Sequence, residues 1–178
     1  MTSFRLDRGG LIDRRRPLSF TFDGRKLSGF AGDTLASALL ANGIKLVGRS
    51  FKLHRPRGIV SAGPEEPNAL VRVDAFGRHT PNMSATTVEL VDGLVAASQN
   101  AWPSLRFDAL ALNDRLSRFL GAGFYYKSFM WPASFWEKVY EPAIRRAAGL
   151  GVLAMSPDDM TYAHVHHHCD LQIGRAHV

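Results

Sequence analysis

The side chains best suited to chemistry in this 178-residue chain are cationic and closely spaced. Arg49, Lys52, Arg55 and Arg57 fall within nine residues, and with Lys45 they occupy an interval, residues 34–64, that contains no acidic residue. Guanidinium and ammonium groups match phosphate and carboxylate oxygens, so the run is a candidate anion-binding element with Arg49, Lys52, Arg55 and Arg57 as its contacts. Crowding like charge costs self-repulsion that a bound anion relieves. The alternative is a solvated basic face. Nucleic acid is a poorer match, because Phe51 is the single aromatic residue in the run and no reading motif accompanies it.

Other chemistry is thinly represented. His164, His166, His167 and His168 precede Cys169, and imidazole with thiolate suits zinc or copper. On one extended segment, however, neighbouring side chains point to opposite faces, so the cluster reads as a linker and not as a metal site. Cys169 is the sole cysteine, which excludes an internal disulfide and any thiolate-built iron-sulfur or zinc centre. No Gly-x-Ser-x-Gly elbow occurs, and the acidic pairs Glu65-Glu66 and Asp158-Asp159 read as loop punctuation. No catalytic residue is expected.

The elements that must position the basic run follow from periodicity. Leu18, Phe20 and Phe22 alternate with Ser19 and Thr21, Asp23-Gly24 signals a tight turn, and Lys26 to Phe30 returns, so residues 18–30 predict a β-hairpin. Asp33 is placed to cap a short helix carrying Leu35, Ala38 and Leu39, ended by Asn42-Gly43. A loop over 48–67 then leads to strands at 69–73 and 87–91. Hairpin, helix, long loop and strands in that order predict an α+β fold of β-grasp type over residues 1–100. From Trp102 the composition turns aromatic, predicting a helical extension over 101–160 with helices near 110–120 and 133–148, the second kinked or interrupted at Pro142. Phe124, Tyr125, Tyr126, Phe129, Met130, Trp131, Phe135, Trp136 and Tyr140 are too many large apolar groups for one small surface, so they are expected to dock against something else.

Composition sets outer bounds. With 46% hydrophobic and 21% charged residues the chain can bury a core, and no apolar run reaches the ~18 residues a membrane span requires. The start of the chain lacks the apolar segment of a secretory signal, and Arg14-Arg15-Arg16 is not followed by the hydrophobic stretch of a twin-arginine signal, so a cytoplasmic location is expected. The net charge of +6 points to an anionic partner without identifying one.

Several motifs together resemble a known family. They are Phe22-Asp23-Gly24, Gly32-Asp33-Thr34-Leu35-Ala36, the stretch from Gly48 to Ile59, Glu65-Glu66-Pro67-Asn68-Ala69, Trp131-Pro132 and Tyr140 to Arg145. They resemble the amino-terminal region of the sarcosine oxidase alpha-subunit family. The resemblance implies a fold like plant-type [2Fe-2S] ferredoxins, yet the loop where cluster cysteines would stand reads Ile59-Val60-Ser61-Ala62-Gly63-Pro64, so no cluster is expected. It further implies a heterotetrameric oxidoreductase that demethylates sarcosine to glycine. Its FAD and FMN would sit in or against a flavin-bearing beta subunit, and its NAD in a later domain of the alpha subunit. This chain is then expected to hold no cofactor and to serve as scaffold and interface for those subunits and for the carboxyl-terminal domains. Here Cys169-Asp170 is not followed by a strand and a Gly-x-Gly-x-x-Gly turn, so no dinucleotide is expected to bind through that fingerprint. Residues 172–178 match one translated frame of a sequencing adapter, the alternative being an ordinary divergent carboxyl terminus, so 161–178 is expected to be a linker with a truncated or artefactual tail and the chain an inactive amino-terminal fragment. Two rivals remain: a stand-alone basic β-grasp module for nucleic acid, and a subunit of a related amine dehydrogenase or oxidase.

Overall fold

The computed structural model describes residues 4–75, 78–118, 123, 131–147, 157, 164 and 166. Strand β1 (Asp13–Phe22) runs antiparallel to β2 (Arg25–Ala31), as the alternating pattern predicts, and extends further toward the amino terminus. Asp23 and Gly24 link them with φ of 49° and 75°. Two successive positive φ values give the mirror-image turn whose twist suits a hairpin. The Asp23 carboxylate also accepts hydrogen bonds from the Ser98 amide at 2.8 Å and the Ser98 hydroxyl at 3.1 Å, tying the turn to a segment 75 residues away.

Helix α1 (Leu35–Ala41) is capped by Thr34 and not by Asp33. The Thr34 hydroxyl accepts from the Ser37 amide, and the Ser37 hydroxyl accepts from the Thr34 amide, a reciprocal box that leaves Asp33 one position too early to cap. Asp33 instead turns inward. Its carboxylate accepts from the Phe30 amide at 2.9 Å, the Ser37 hydroxyl at 2.7 Å and both terminal nitrogens of Arg5 at 3.0 and 2.7 Å. At the other end Gly43 takes the positive φ of 74° that stops the helix, as Asn42-Gly43 predicts.

The loop expected over 48–67 contains a two-stranded ladder, β3 (Gly48–Arg49) with β4 (Pro56–Arg57). Strands β5 (Leu70–Ala75), β6 (Arg78–Ser84) and β7 (Leu94–Ala97) complete the main sheet in the order β2-β1-β7-β5-β6. Strand β7 lies parallel to β1 and antiparallel to β5. A mixed sheet in this order with one helix packed on it fits a β-grasp. The strand expected at 87–91 is not formed. There the Val88 carbonyl accepts from the Leu35 amide and the Leu90 amide donates to the Asp33 carbonyl, so the segment serves the start of α1 instead of the sheet. Strand β6 was not foreseen, because Pro81 interrupts its pattern; as an edge strand it can accommodate a residue without an N–H.

The core draws Phe20 and Phe22 from β1, Leu35, Ala38 and Leu39 from α1, Val71 from β5 and Leu94 and Ala96 from β7, with Val47 and Leu90 from the connections. Gly29 permits this packing: a Cβ there would stand 2.4 Å from the Leu90 side chain and 3.2 Å from Ala38. Beyond the sheet, a 3-10 turn (Ala109–Ala111) and α2 (Leu112–Arg115) replace the first expected helix as far as residue 118. The second region opens with a 3-10 turn (Ala133–Phe135) and a π turn (Trp136–Tyr140) and continues as α3 (Glu141–Ala147). The helical run thus changes its hydrogen-bonding pattern from π to α beside Pro142, in keeping with the interruption expected there. The aromatic residues 124–130 lie outside the described residues. Among those described, no helix is long and apolar enough to cross a membrane.

Asp33 offers a direct test of this architecture. Burial by itself would raise its pKa, but the Arg5 guanidinium, the Ser37 hydroxyl and the Phe30 amide outweigh it and hold the carboxyl below its ordinary value. Replacing Asp33 with Ala strands the Phe30 amide and the Arg5 charge, and urea unfolding at neutral pH is expected to show a loss of about 3 kcal/mol. A midpoint unchanged from the parent chain would refute the assignment.

Candidate functional site

The basic run forms a hairpin whose geometry separates its four cations. Register pairs Gly48 with Arg57 and Arg49 with Pro56, and the turn closes through the Ser50 amide to the Arg55 carbonyl and the His54 amide to the Ser50 carbonyl. The Arg55 amide donates to the Ser50 hydroxyl, and His54 adopts a φ of 53° at the bend. Arg49 points inward, with 11% of its side chain exposed. Its Nε and one terminal nitrogen donate to the Leu105 carbonyl at 3.1 and 3.0 Å, and the other donates to the His54 carbonyl at 2.9 Å. Arg55 and Arg57 remain at the surface, Arg55 against Asp114 at 2.7 Å and Arg57 against the Asn68 amide oxygen at 2.6 Å. Lys52 is half-buried in the turn, where its carbonyl accepts from Asn113.

Two buried residues escaped the sequence reading of this region. His54 Nδ1 lies 2.8 Å from Asp108 Oδ2, which is 3.6 Å from Arg49 Nε. The second Asp108 oxygen accepts from the Trp102 and Leu110 amides, so a fully buried carboxylate ends up saturated. Neither residue announced itself, since they lie 54 positions apart and no local spacing records the pairing. Residues 102–114 are thereby fastened to the hairpin by His54, Arg49, Asn113 and Arg55.

The loop between β4 and β5 is built around a carboxylate. Glu66, read from sequence as punctuation, is buried and accepts from the Val60 amide at 2.8 Å and the Ser61 amide at 2.6 Å through one oxygen. Its other oxygen accepts from the Asn68 amide at 2.8 Å. Burial pushes the Glu66 pKa up, yet the Ser61, Asn68 and Val60 amides more than offset it, and the carboxyl sits below its ordinary value. Glu65 beside it is exposed, and adjacency gave no way to tell the two apart. Among the described residues no group of three or more His, Cys, Asp and Glu could hold a metal ion; of the histidine cluster only His164 and His166 are described.

Residues 15–101 match the model of a 2Fe-2S iron-sulfur cluster binding domain. The whole chain is more closely matched by a curated protein: over 173 residues it is 64% identical to the sarcosine oxidase subunit alpha of Rhizobium meliloti (strain 1021), which covers 97% of this chain. Over nearly its whole length the chain is thus similar to part of a sarcosine oxidase alpha subunit. The corresponding subunit of Corynebacterium sp. (strain U-96) is 54% identical over 91 residues, 49% of this chain. The chain spans 18% of the Rhizobium protein's length and 9% of the Corynebacterium protein's. Among solved structures, L-proline dehydrogenase from P. horikoshii overlaps 52% of this chain and 17% of its own at 25% identity, with a TM-score of 0.41.

A [2Fe-2S] cluster needs cysteine thiolates, and residues 15–101 of this chain contain none. The Val60, Ser61 and Asn68 amides of the loop donate to Glu66. The residues present therefore do not fit the cluster that the family model's description names.

The Glu66 nest has a definite pH signature. A carboxyl whose folded pKa lies below its unfolded value stabilises the fold fully above the ordinary value of 4.5 and loses that contribution as pH falls through the folded pKa. Glu66→Gln keeps the volume but removes the charge, so at pH 7 it is expected to cost about 2 kcal/mol in urea unfolding, with the gap from the parent narrowing as pH drops below the ordinary carboxyl range. A gap that is constant from neutral to acid pH would refute the charge-based account.

Proposed function

We propose that this chain is a cluster-free, ferredoxin-like scaffold of a sarcosine oxidase-type alpha subunit, a structural part of an oxidoreductase complex that itself performs no chemistry. The observation that carries the reading is the loop of residues 60–68, in which the Glu66 carboxylate takes the amide donors and no cysteine is available. The complete complex, on this reading, demethylates sarcosine oxidatively to glycine with FAD, FMN and NAD held by the flavin-bearing beta subunit and by other domains of the alpha subunit. The names of the curated relatives support the oxidase assignment.

The interface role rests on what the fold leaves uncovered. Phe51 at the tip of the basic hairpin is exposed, and so are Trp102 and Phe107 in the segment tied to it and Trp131 beyond. Aromatic and arginine side chains together at a surface are the composition of interface anchors. Within the hairpin, Arg49 holds the shape, while the exposed Arg55 and Arg57 are the contacts offered to an anionic group of a partner, such as a flavin phosphate. Of the four expected contacts, Arg55 and Arg57 thus carry this proposal, with Arg49 as a positioning residue.

Two measurements test this. The purified chain, treated anaerobically with iron and sulfide and then gel-filtered, is expected to retain neither; stoichiometric retention of both with visible charge-transfer bands would overturn the cluster-free reading. In the complete subunit co-expressed with its partners, Arg55→Gln with Arg57→Gln is expected to weaken flavin retention or assembly by roughly 1.5 to 3 kcal/mol, a charge-assisted contact's worth. Unaltered flavin content and assembly would leave the hairpin a solvated face.

A further inference from the structure

A cleft of about 990 Å³ is formed where the β1–β2 turn, the end of α1 and residues 101–106 come together. Arg25, Lys45 and Arg106 line it, one from each of these three regions. None of the three has a carboxylate partner among the described residues, whereas Arg5, Arg49, Arg55 and Arg72 each face one. The sole carboxylate in the lining, Asp23, is spent on the amide and hydroxyl of Ser98. The lining thus carries three cations against one carboxylate and is positive on balance.

Its position is fixed by the backbone and not by the cations themselves. The Val47 amide donates to the Arg57 carbonyl, and Gly58 lets the Lys45 carbonyl pack so close that a Cβ would stand 2.7 Å from it. The Lys45 ammonium lies over the Phe4 ring at 5.2 Å, and Phe4 is anchored by its amide to the Ala41 carbonyl. Phe4, Ile44 and Leu105 supply apolar lining beside the charges. A cleft of this volume is as large as those that take drug-sized ligands, far more than an inorganic ion fills. Cations from separate segments with an aromatic wall suit a ligand that has both a phosphate and a ring.

We propose that this cleft binds a phosphorylated small molecule of mononucleotide size, its phosphate held by Arg25, Lys45 and Arg106 and its ring set against Phe4. Side chains alone hold the phosphate here, so no glycine-rich fingerprint is required. The site is separate from the basic hairpin and independent of the scaffold reading.

Calorimetry on the 178-residue chain tests it with AMP, inorganic phosphate and adenosine as probes. AMP is expected to bind measurably, inorganic phosphate about tenfold more weakly, and adenosine not at all. Arg25→Gln combined with Arg106→Gln is expected to weaken AMP by about tenfold or more, since each lost phosphate contact is worth roughly a decade in affinity. Both residues are exposed, and an unchanged circular dichroism spectrum confirms that the variant folds; should it not, Lys45→Gln serves as the second variant with the same expectation. No AMP binding at millimolar concentration, equal affinity for AMP and inorganic phosphate, or AMP binding indifferent to these substitutions would each overturn the proposal.

Discussion

A carboxylate removed from water must be met by donors, and this fold is arranged around three that are. Asp33, Glu66 and Asp108 are all withdrawn from solvent, and each gathers backbone amides that its surroundings would otherwise leave unpaired. An ionised group in that position is costly unless every lone pair is used, and once they are used the group dictates the path of the chain around it. Asp33 joins the β2–α1 connection to Arg5 near the amino terminus. Glu66 folds the loop between β4 and β5 onto itself. Asp108 brings residues 102–110 to the basic hairpin through His54.

On the cluster-free reading proposed above, the loop of residues 60–68 is organised by a carboxylate of the chain itself, Glu66. What the domain then offers to a larger assembly is shape and surface: a hairpin with Arg55 and Arg57 exposed, exposed aromatic side chains, and a cleft lined by Arg25, Lys45 and Arg106. The linkage of residues 102–114 to the hairpin also places the boundary expected at residue 100 inside a hydrogen-bonded unit, and we propose that the domain continues at least to α2.

The parts legible in the sequence were those governed by local rules. Alternation at Leu18, Phe20 and Phe22, the Asp23-Gly24 turn and the Asn42-Gly43 stop each act over a few residues, and each is where it was expected. The failures are tertiary. Thr34 and Asp33 are both good caps; the Thr34–Ser37 box takes the helix end, and Asp33 pairs instead with Arg5, 28 positions away. Thr87 to Val91 has strand composition but was claimed by α1, while β6 paired despite Pro81 because it lies at an edge. In the candidate site, charge density identified the hairpin, yet it could not show that Arg49 faces inward or that Glu66 and Asp108 do the structural work. Those roles depend on partners that no spacing encodes.

The central claim, that the buried Glu66 carboxylate holds the loop of residues 60–68 together, is tested most directly by amide hydrogen exchange in the chain. The Val60, Ser61 and Asn68 amides are expected to be protected at neutral pH to the same degree as their neighbours in β5, and to lose that protection selectively in Glu66→Ala. If those three amides instead exchange as fast as in an unstructured peptide while β5 stays protected, the carboxylate does not hold the loop and the account is wrong.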